Sequence, residues 1–498
     1  MSEVTKTQDQ GPSRRTLYVW IFAGLIVTVY FFGLTIPLVG PDEPRYAQVA
    51  REMWQAGDWV TPTLGGFHWF EKPALLYWLQ IASYNIFGVG EFAARFGSAL
   101  FGLGTIASLW LLGRSVESRI GVVRFSDLLA LIAASSIGII VFARGASFDI
   151  ILTFPITASL VSYWLWERRN SVWALAGFYF FIGVALLAKG LVGIVFPFAI
   201  VTFYHLLSWK WPKTSLLLSL FWGTAISVVV ASAWYLPMYI TNGWEFIDEF
   251  FIQHHFQRYT SNKYFHPQPF YFFFWVLPLM TIPWLPFFFA GAWRGIKTAI
   301  RKVDDGEEDR SLVLFSFAWL LIPLVFFSLS GSKLPGYILP ALPPCLILAG
   351  LCVCRWVGEN RKRLGMIASV AGITFATIVV LLMTAVPKYA DDDSVKRLVA
   401  EANARGFEKA EVLSQHAISH NAEFYAAGRL LRSPDGKQMK LYSPAEILEE
   451  IRRRNGGAVL VLVPNEWAHQ TLESPLLSAE LIASNSEHSI IAAREAQP

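Results

Sequence analysis

The chain has 498 residues, of which 54% are hydrophobic, 15% aromatic and only 16% charged, whereas soluble globular chains are about 25% charged. This composition excludes a wholly soluble protein and predicts a membrane protein. With a net charge of +4 and no basic run interleaved with aromatic residues, nucleic acid is not an expected partner.

Eleven apolar runs approach the 20 or so residues that a membrane-spanning helix needs, and they start near residues 17, 92, 125, 148, 171, 191, 215, 269, 312, 337 and 364. The first run follows Arg14 and Arg15 and is predicted to be an uncleaved anchor, which places the N-terminus in the cytosol. Loops then assigned to the inside carry 19 Lys and Arg, and those outside carry 8. The charge bias therefore predicts that the C-terminal tail lies outside.

The first outside loop reads Gly40-Pro41-Asp42-Glu43-Pro44-Arg45, and Pro44 is suited to the first position of a helix. Apolar residues then recur at helical spacing, which predicts a short amphipathic helix in the membrane interface. Asp42 and Glu43 would lie at its N-terminus, where an ionised carboxylate is favoured; they act either as caps or as a base at the membrane surface. A second juxtamembrane helix is predicted from Pro73 to Phe87, preceded by Glu71 and Lys72, which a solvated loop pair would also explain.

Three further clusters lie in segments assigned to the outer face. Asp149 stands at the mouth of an apolar helix, either as a cap or as a functional carboxylate. The loop from 241 to 267 has a helical pattern in which His254 shares a face with Arg258, and His255 with Tyr259. This suits either a lipid phosphate or a simple interfacial helix.

The third cluster is a Gly/Pro turn, Ser330 to Pro340, that presents Lys333 and Tyr337. Turn chemistry explains its glycines and prolines but not two donors for an anion. Together, the outer face offers cations, a tyrosine and carboxylates that fit a cavity holding a lipid phosphate beside a catalytic acid. These residues are Lys72, Arg258, Lys333 and Tyr337 as donors, and Asp42, Glu43, Glu71 and Asp149 as carboxylates.

The tail differs in composition, because 29 of its 112 residues are charged. We therefore divide the chain into a membrane domain, 1–386, with outer loops at 40–90 and 240–268, and a soluble domain, 387–498. The tail alternates a helical pattern (Ser443 to Arg454) with apolar runs (Ala458 to Val463 and Ser489 to Ala493), which predicts a small α/β domain.

These residues, in this order, resemble the GT-C type of integral-membrane glycosyltransferases. The motifs are Asp42-Glu43 with Arg45-Tyr46-Ala47, Phe70-Glu71-Lys72-Pro73, the mouth at Asp149, His255-Phe256-Gln257-Arg258-Tyr259 and Ser332-Lys333-Leu334-Pro335-Gly336-Tyr337. The sequence is most similar to the bacterial 4-amino-4-deoxy-L-arabinose transferases that modify lipid A, within a wider group that includes the protein O-mannosyltransferases. The resemblance runs from about residue 15 to 345. It departs in having eleven predicted spans, where the aminoarabinose enzymes have more, and a shorter region after Tyr337.

The resemblance implies an all-α polytopic fold with a small outer-face α/β domain, and a polyprenyl (undecaprenyl) phosphate-linked sugar as donor. It also implies Asp42 as the catalytic carboxylate, with Lys72, Arg258 and Tyr337 as phosphate ligands. Lys333 joins these as an anion donor. The residues expected to line the site are Glu43, Glu71, Asp149, His254 and His255.

The implied reaction transfers a sugar to a lipid A, glycan or protein acceptor at the outer face of the bacterial cytoplasmic membrane. The sequence requires no cofactor; a divalent metal ion held by residues such as Asp42, Asp149 and His255 is an open alternative, since oxygen-rich ligands suit a hard cation. The rival function is a transporter or flippase for a lipid-linked sugar, which would use the same phosphate cations without a base. Transporters commonly show internal repeats and polar residues at mid-membrane, and the sequence shows neither.

Overall fold

The computed structural model describes residues 14–116, 124–257, 268–301, 307–454 and 456–497. The first part of the chain contains the first apolar helix and the two helices that were predicted in the first outside loop. It forms α1 (Arg14–Phe31), α2 (Asp42–Ala56), a hairpin of β1 (Thr63–Leu64) and β2 (Phe67–His68), α3 (Leu75–Phe87) and α4 (Glu91–Ser115). The helix predicted to begin at Pro44 begins two residues earlier, so Asp42 and Glu43 are in its first turn, and neither side chain caps it.

The central helices are α5 (Phe125–Ala134), α6 (Ile137–Ala143), α7 (Phe148–Arg169), α8 (Val172–Lys189), α9 (Val192–Ser208) and α10 (Thr214–Ile247), continued by a π-helix (Asp248–Gln257). They are followed by α11 (Phe272–Met280), α12 (Leu285–Arg301), α13 (Glu307–Ser328), a 3-10 helix (Pro335–Ala341), α14 (Leu342–Val357) and α15 (Arg361–Met383). The helical pattern predicted for the 241–267 loop is confirmed as far as Gln257; the rest of it lies outside the described residues.

Two spans are broken, and their breaks contact each other. The axes of α5 and α6 differ by 59°, and those of α11 and α12 by 116°. The Ser135 hydroxyl bonds back to the Leu131 carbonyl and accepts from Trp284 Nε1 at 3.0 Å, while Ile137 N donates to the Ile282 carbonyl at 2.9 Å. Backbone groups that the breaks leave without helical partners therefore bond across the two pairs, as an apolar interior requires.

By length and hydropathy, seven described helices qualify as membrane spans, and nine do if each bent pair is one span. The runs predicted near residues 17 and 191 coincide with shorter apolar helices, Trp20–Phe31 and Val192–Ser208. Each of the eleven runs therefore corresponds to a helix or a bent pair, and the number that crosses the membrane remains a prediction.

The tail begins with α16 (Ala385–Asp393) and α17 (Lys396–Ala402) and contains one five-stranded sheet. Its strands are β3 (Val412–Gln415), β4 (Lys440–Leu441), β5 (Val459–Pro464), β6 (Leu477–Ser484) and β7 (His488–Glu495), with α18 (Ala422–Tyr425), α19 (Pro444–Arg453) and α20 (Ala468–Leu472) between them. The order is β4-β3-β5-β7-β6; β3 is parallel to β4 and β5, and the other pairs are antiparallel. The predicted helix and both apolar runs are confirmed as α19, β5 and β7.

The tail packs on the membrane domain beside α2. Arg51 of α2 donates to the Phe424 carbonyl at 2.8 Å, and its guanidinium lies 3.9 Å from the Phe424 ring centre. The Tyr425 hydroxyl contacts Leu38 N at 2.8 Å and Glu91 Oε1 at 3.1 Å. The tail therefore touches the loop that follows α1 as well as α2 and α4, and the boundary at residue 386 remains our prediction.

Candidate active site

A cavity of about 720 Å³ lies where loops predicted to be on the outer face meet. The loop after α1, the first turn of α2, the α6–α7 loop and the 3-10 helix (Pro335–Ala341) form its polar side. The apolar wall comes from α15 and α16, with Ile378, Leu381, Leu382, Val386 and Tyr389. The ionisable residues Asp42, Glu43, Lys72, Arg95, Arg144, Asp149 and Lys189 line the same space.

Of the two acids at the start of α2, Glu43 has a structural role. Arg95 of α4 donates two hydrogen bonds to its carboxylate, at 3.0 and 2.6 Å. The amides of Val39 and Ala146 donate to the same carboxylate at 3.1 and 2.7 Å. Burial alone would raise the pKa of Glu43, but the Arg95 charge and these hydrogen bonds hold it below the ordinary value. The Glu43 carboxylate therefore links three segments to α2, and each of its two oxygens accepts two hydrogen bonds.

Asp42, by contrast, presents an accessible carboxylate to the cavity. Its side chain is 51% exposed, and the Arg45 guanidinium lies 3.8 Å away. Glu43, one residue on, is 13% exposed. Because an acid can take up a proton from a substrate only where the substrate reaches it, Asp42 is the one of the two that is placed to act as a base.

Lys72 reaches the cavity from the segment before α3. Its ammonium donates to Glu71 Oε1 at 2.8 Å, and both side chains are largely buried. Tyr46 lies between this pair and Asp42: burial raises the pKa of its phenol, and the charges of Asp42 and Glu71 raise it further. The predicted pair Glu71–Lys72 is therefore not a solvated loop pair, and it lies near Asp42.

Asp149 forms the second charged centre of the cavity. Ser147 caps α7 by accepting from Asp149 N at 3.1 Å, so the Asp149 carboxylate projects from the first turn instead of capping the helix. Lys189, the last residue of α8, donates to Asp149 Oδ1 at 2.5 Å, and its ammonium lies 4.6 Å from the centre of the Tyr337 ring. An acid, a cation and an aromatic ring from three segments are thus brought together.

The glycine at 336 allows this close approach. A Cβ added there would lie 1.8 Å from Asp149 Oδ2 and 2.7 Å from the Phe142 ring. The 3-10 helix can therefore pass directly over the carboxylate only because position 336 has no side chain. This close approach is a second physical reason for a glycine between Pro335 and Tyr337, in addition to turn chemistry.

Lys333 is not brought into the cavity. Its ammonium donates to the carbonyls of Gln268 and Ser330 at 3.0 and 2.6 Å, and burial lowers its pKa. Arg258 lies outside the described residues, and the side chains of His254 and His255 are not among those described. The structure therefore brings together Asp42, Glu43, Lys72, Asp149 and Tyr337, with Glu71 beside them.

Three cavity residues were missed by the sequence analysis. Arg95 lies inside α4, Arg144 follows α6, and Lys189 ends α8. Arg144 donates to the carbonyls of Val29 and Phe32 near the end of α1, so it ties that helix to the cavity. Ionisable residues at such positions are costly in a membrane, and this signal could have found all three.

A metal set is not formed by the described residues. Across the described ranges, no group of three or more His, Cys, Asp or Glu side chains is arranged to hold a metal ion. Asp42 and Asp149 both line the cavity, but each has a cation nearby, Arg45 and Lys189 respectively. The metal alternative is therefore neither supported nor excluded.

The sequence of this chain is similar to those of known proteins. A family model described as dolichyl-phosphate-mannose-protein mannosyltransferase matches residues 17–248. Proteins named undecaprenyl phosphate-alpha-4-amino-4-deoxy-L-arabinose arabinosyl transferase are 30% identical in Edwardsiella ictaluri, over 73% of this chain and 65% of that protein, and in Shewanella sediminis, over 74% and 67%. The chain thus spans about two thirds of the length of these relatives.

A solved structure shares the fold. The crystal structure of ArnT from Cupriavidus metallidurans bound to undecaprenyl phosphate superposes with a TM-score of 0.80 at 23% identity, covering 96% of this chain and 98% of that one. The predicted fold class, an all-α polytopic membrane domain followed by a small α/β domain, is confirmed. The apolar helices and these similarities together identify an integral membrane protein.

Proposed function

We propose that this chain, which belongs to the family of the undecaprenyl phosphate-aminoarabinose arabinosyl transferases, transfers a sugar from a polyprenyl phosphate donor to a lipid A, glycan or protein acceptor. The similar ArnT structure holds undecaprenyl phosphate, and the relatives are named for a donor of the same class. The transporter alternative receives no support from these comparisons.

The accessible carboxylate of Asp42 in a cavity lined by cations is the observation that carries the proposal. A transporter would use the cations without a base, whereas sugar transfer also uses an accessible carboxylate. Glu43 and Arg95 fix the first turn of α2, so Asp42 is held at the cavity by a rigid support. Preorganised groups of this kind are what a transfer reaction requires.

The chemistry follows from the donor. A hydroxyl or phosphate oxygen of the acceptor attacks the anomeric carbon, and a new carbon–oxygen bond forms as the bond from that carbon to the phosphate oxygen breaks. Asp42 accepts the proton from an attacking hydroxyl, or orients an attacking phosphate. The polyprenyl phosphate leaves as an anion, and fixed cations stabilise it strongly in a site of low dielectric constant.

Lys72, Tyr337 and Arg258 are proposed to bind that phosphate, with Asp149 and Lys189 beside Tyr337. Lys72 and Tyr337 both line the cavity, and an ammonium and a phenol hydroxyl suit phosphate oxygens. The apolar wall from α15 and α16 offers the polyprenyl chain a surface that continues into the membrane helices. Lys333 is a weaker candidate because backbone carbonyls already occupy its ammonium.

The proposal also covers the orientation of the protein in the membrane and its need for a cofactor. We place the N-terminus in the cytosol and the tail outside, since the charge bias of the loops favours it. The reaction above needs no metal. A divalent ion with Asp42, Asp149 and His255 remains the alternative, and transfer measured after chelation would decide it.

The direct test is transfer by the purified protein in lipid nanodiscs, with undecaprenyl phosphate-linked aminoarabinose as donor and lipid A as first acceptor. Lys72→Ala should raise the donor KM by about 10- to 100-fold, because a charge-assisted contact to the phosphate is lost. Lys437→Ala, which removes an exposed tail lysine, is the matched control. Donor crossing sealed vesicles without any transfer would establish the transporter instead.

A further inference from the structure

We infer that the tail carries a saccharide-binding site at the carboxyl ends of β3, β4 and β5, formed by His416, Tyr442 and Trp467. The assignment of this site as the acceptor site rests on the proposed transferase function, whereas saccharide binding by the tail does not. Separate experiments measure saccharide binding and transfer.

The topology of the sheet brings these three residues to one edge. β3, β4 and β5 are parallel and end at Gln415, Leu441 and Pro464. In the sheet, β4 and β5 lie on opposite sides of β3. The connection from β3 to β4 and the connection from β4 back to β5 therefore run in opposite directions along the sheet. In open sheets with parallel strands, ligands bind at such a point, outside the carboxyl ends of the strands.

Aromatic rings occupy this point. His416, the residue after β3, stacks on Trp467, which follows β5, with ring centres 4.6 Å apart and planes 26° apart. Tyr442, the residue after β4, meets His416 edge to face at 6.0 Å. Trp467 is 38% exposed and Tyr442 54% exposed. Each of the three parallel strands therefore ends in one ring of a shared, accessible cluster.

His416 is held in this cluster at a conformational cost. Its φ is 60°, a left-handed value that is strained for a residue with a side chain. Its amide donates to the Leu441 carbonyl at 2.9 Å, and its Nε2 contacts Gln470 Oε1 at 2.8 Å. Both contacts hold the ring where it stacks on the face of Trp467.

The chemistry of the cluster favours a saccharide. The faces of aromatic rings are electron-rich and attract the weakly positive C–H groups on the apolar face of a pyranose, while neighbouring polar groups bond its hydroxyls. Gln470 and the exposed Glu466 supply such groups. A nucleotide would need a glycine-rich phosphate loop, but the segment after β3 has no glycine between positions 416 and 421.

The same segment leads from the aromatic cluster to the cavity. Asn421 Nδ2 donates to Asp393 Oδ2 at 3.1 Å, and Gly40 N donates to the same oxygen at 3.0 Å. Gly40 is two residues before Asp42. Asn421 is five positions after His416, which limits the separation of their Cα atoms to about 18 Å. A bound saccharide of a few units can therefore extend from the tail towards Asp42.

Saturation-transfer NMR on the full chain in nanodiscs tests the binding, with chitotriose, maltotriose and mannotriose as probes and no donor present. At least one probe should receive saturation from the protein. Trp467→Ala and Tyr442→Ala should each weaken its binding by about three- to tenfold. The matched controls are Trp173→Ala, another exposed tryptophan, and Leu481→Ala, another exposed apolar residue of the tail.

No signal from any probe would overturn the inference, as would equal signals from the wild type and both variants. In the transfer assay, the same two variants should raise the KM for a glycan acceptor and leave the donor KM unchanged. Transfer only to a peptide hydroxyl, unaffected by either variant, would also contradict it. If saccharide binding is found but no transfer occurs, the proposed function fails and the binding site remains.

Discussion

Two cavities of similar size lie at opposite ends of the membrane helices. The first, of about 720 Å³, is the candidate active site. The second, of about 640 Å³, lies between α8, α9 and α10 and is lined by aromatic and aliphatic side chains with one histidine, His205, and one lysine, Lys210. Trp209 and Trp211 at its rim are more than 90% exposed.

The ionisable residues distinguish the two cavities. Among the residues that the structure describes, seven side chains of Asp, Glu, Lys and Arg line the first cavity, and one lysine lines the second. Exposed tryptophans are typical of the membrane–water interface, where a ring has an apolar body and a polar edge. The volume of a cavity therefore does not identify a reactive site in this protein. Charged side chains held in a fixed geometry do identify one.

The largest effect should follow from removing the accessible acid. Asp42→Asn should lower the transfer rate by about 10²- to 10⁴-fold, since the amide cannot accept the proton. Donor binding should stay largely intact, because no phosphate contact is lost. Transfer kinetics and donor binding in nanodiscs measure the two effects, with Asp435→Asn, a surface acid of the tail, as control. Full transfer by the Asp42 variant would rule out its role as base.

Breaking the buried ion pair should have the next largest effect. Lys189→Met leaves Asp149 unpaired in a largely buried position, which should reduce the free energy of unfolding by about 3 kcal/mol and weaken donor binding. The double variant Asp149→Asn with Lys189→Met should recover much of the stability, but not the binding.

The surface pair Lys437–Asp435 provides the matched control. Its side chains are 82% and 56% exposed, so Lys437→Met should not change the thermal midpoint measurably. Equal midpoint shifts for Lys189→Met and Lys437→Met would contradict the view that the cavity charges are structurally held.

A smaller effect should come from adding one methyl group over Asp149. Gly336→Ala forces the carboxylate or the 3-10 helix to move, at a cost of about 1–3 kcal/mol, and should reduce transfer with it. Gly372→Ala is the control, since a Cβ there meets nothing within 4 Å and a helix accepts alanine well. Wild-type activity in the Gly336 variant would show that the close approach of the 3-10 helix to Asp149 is not needed.

The smallest effect is expected at the second cavity. Trp209→Ala and Trp211→Ala should leave the donor and acceptor KM and the transfer rate unchanged, because no catalytic group lies near them. The same kinetic assay measures this. A loss comparable to that of Asp42→Asn would show that the second cavity takes part in the reaction.

Much of the site was accessible from the sequence because charges are rare in this chain. Asp42, Lys72 and Asp149 stood out as ionisable residues beside apolar runs, and the structure places all three on one cavity. The division of labour between Asp42 and Glu43 was not accessible, since it depends on Arg95, which is 52 residues away along the chain. Lys189 could have been found as an ionisable residue at the end of an apolar helix, but its pairing with Asp149, 40 residues away, could not.

The sequence by itself determined the membrane location, the main helices, the α/β character of the tail and the family resemblance, because hydrophobic periodicity and local motifs report on nearby residues. Only the tertiary structure decided which acid is exposed and which is bonded, that Lys333 points away from the cavity, and that His416 meets Tyr442 and Trp467. Each of these depends on packing between segments distant in the chain, and no local pattern encodes a contact of that kind.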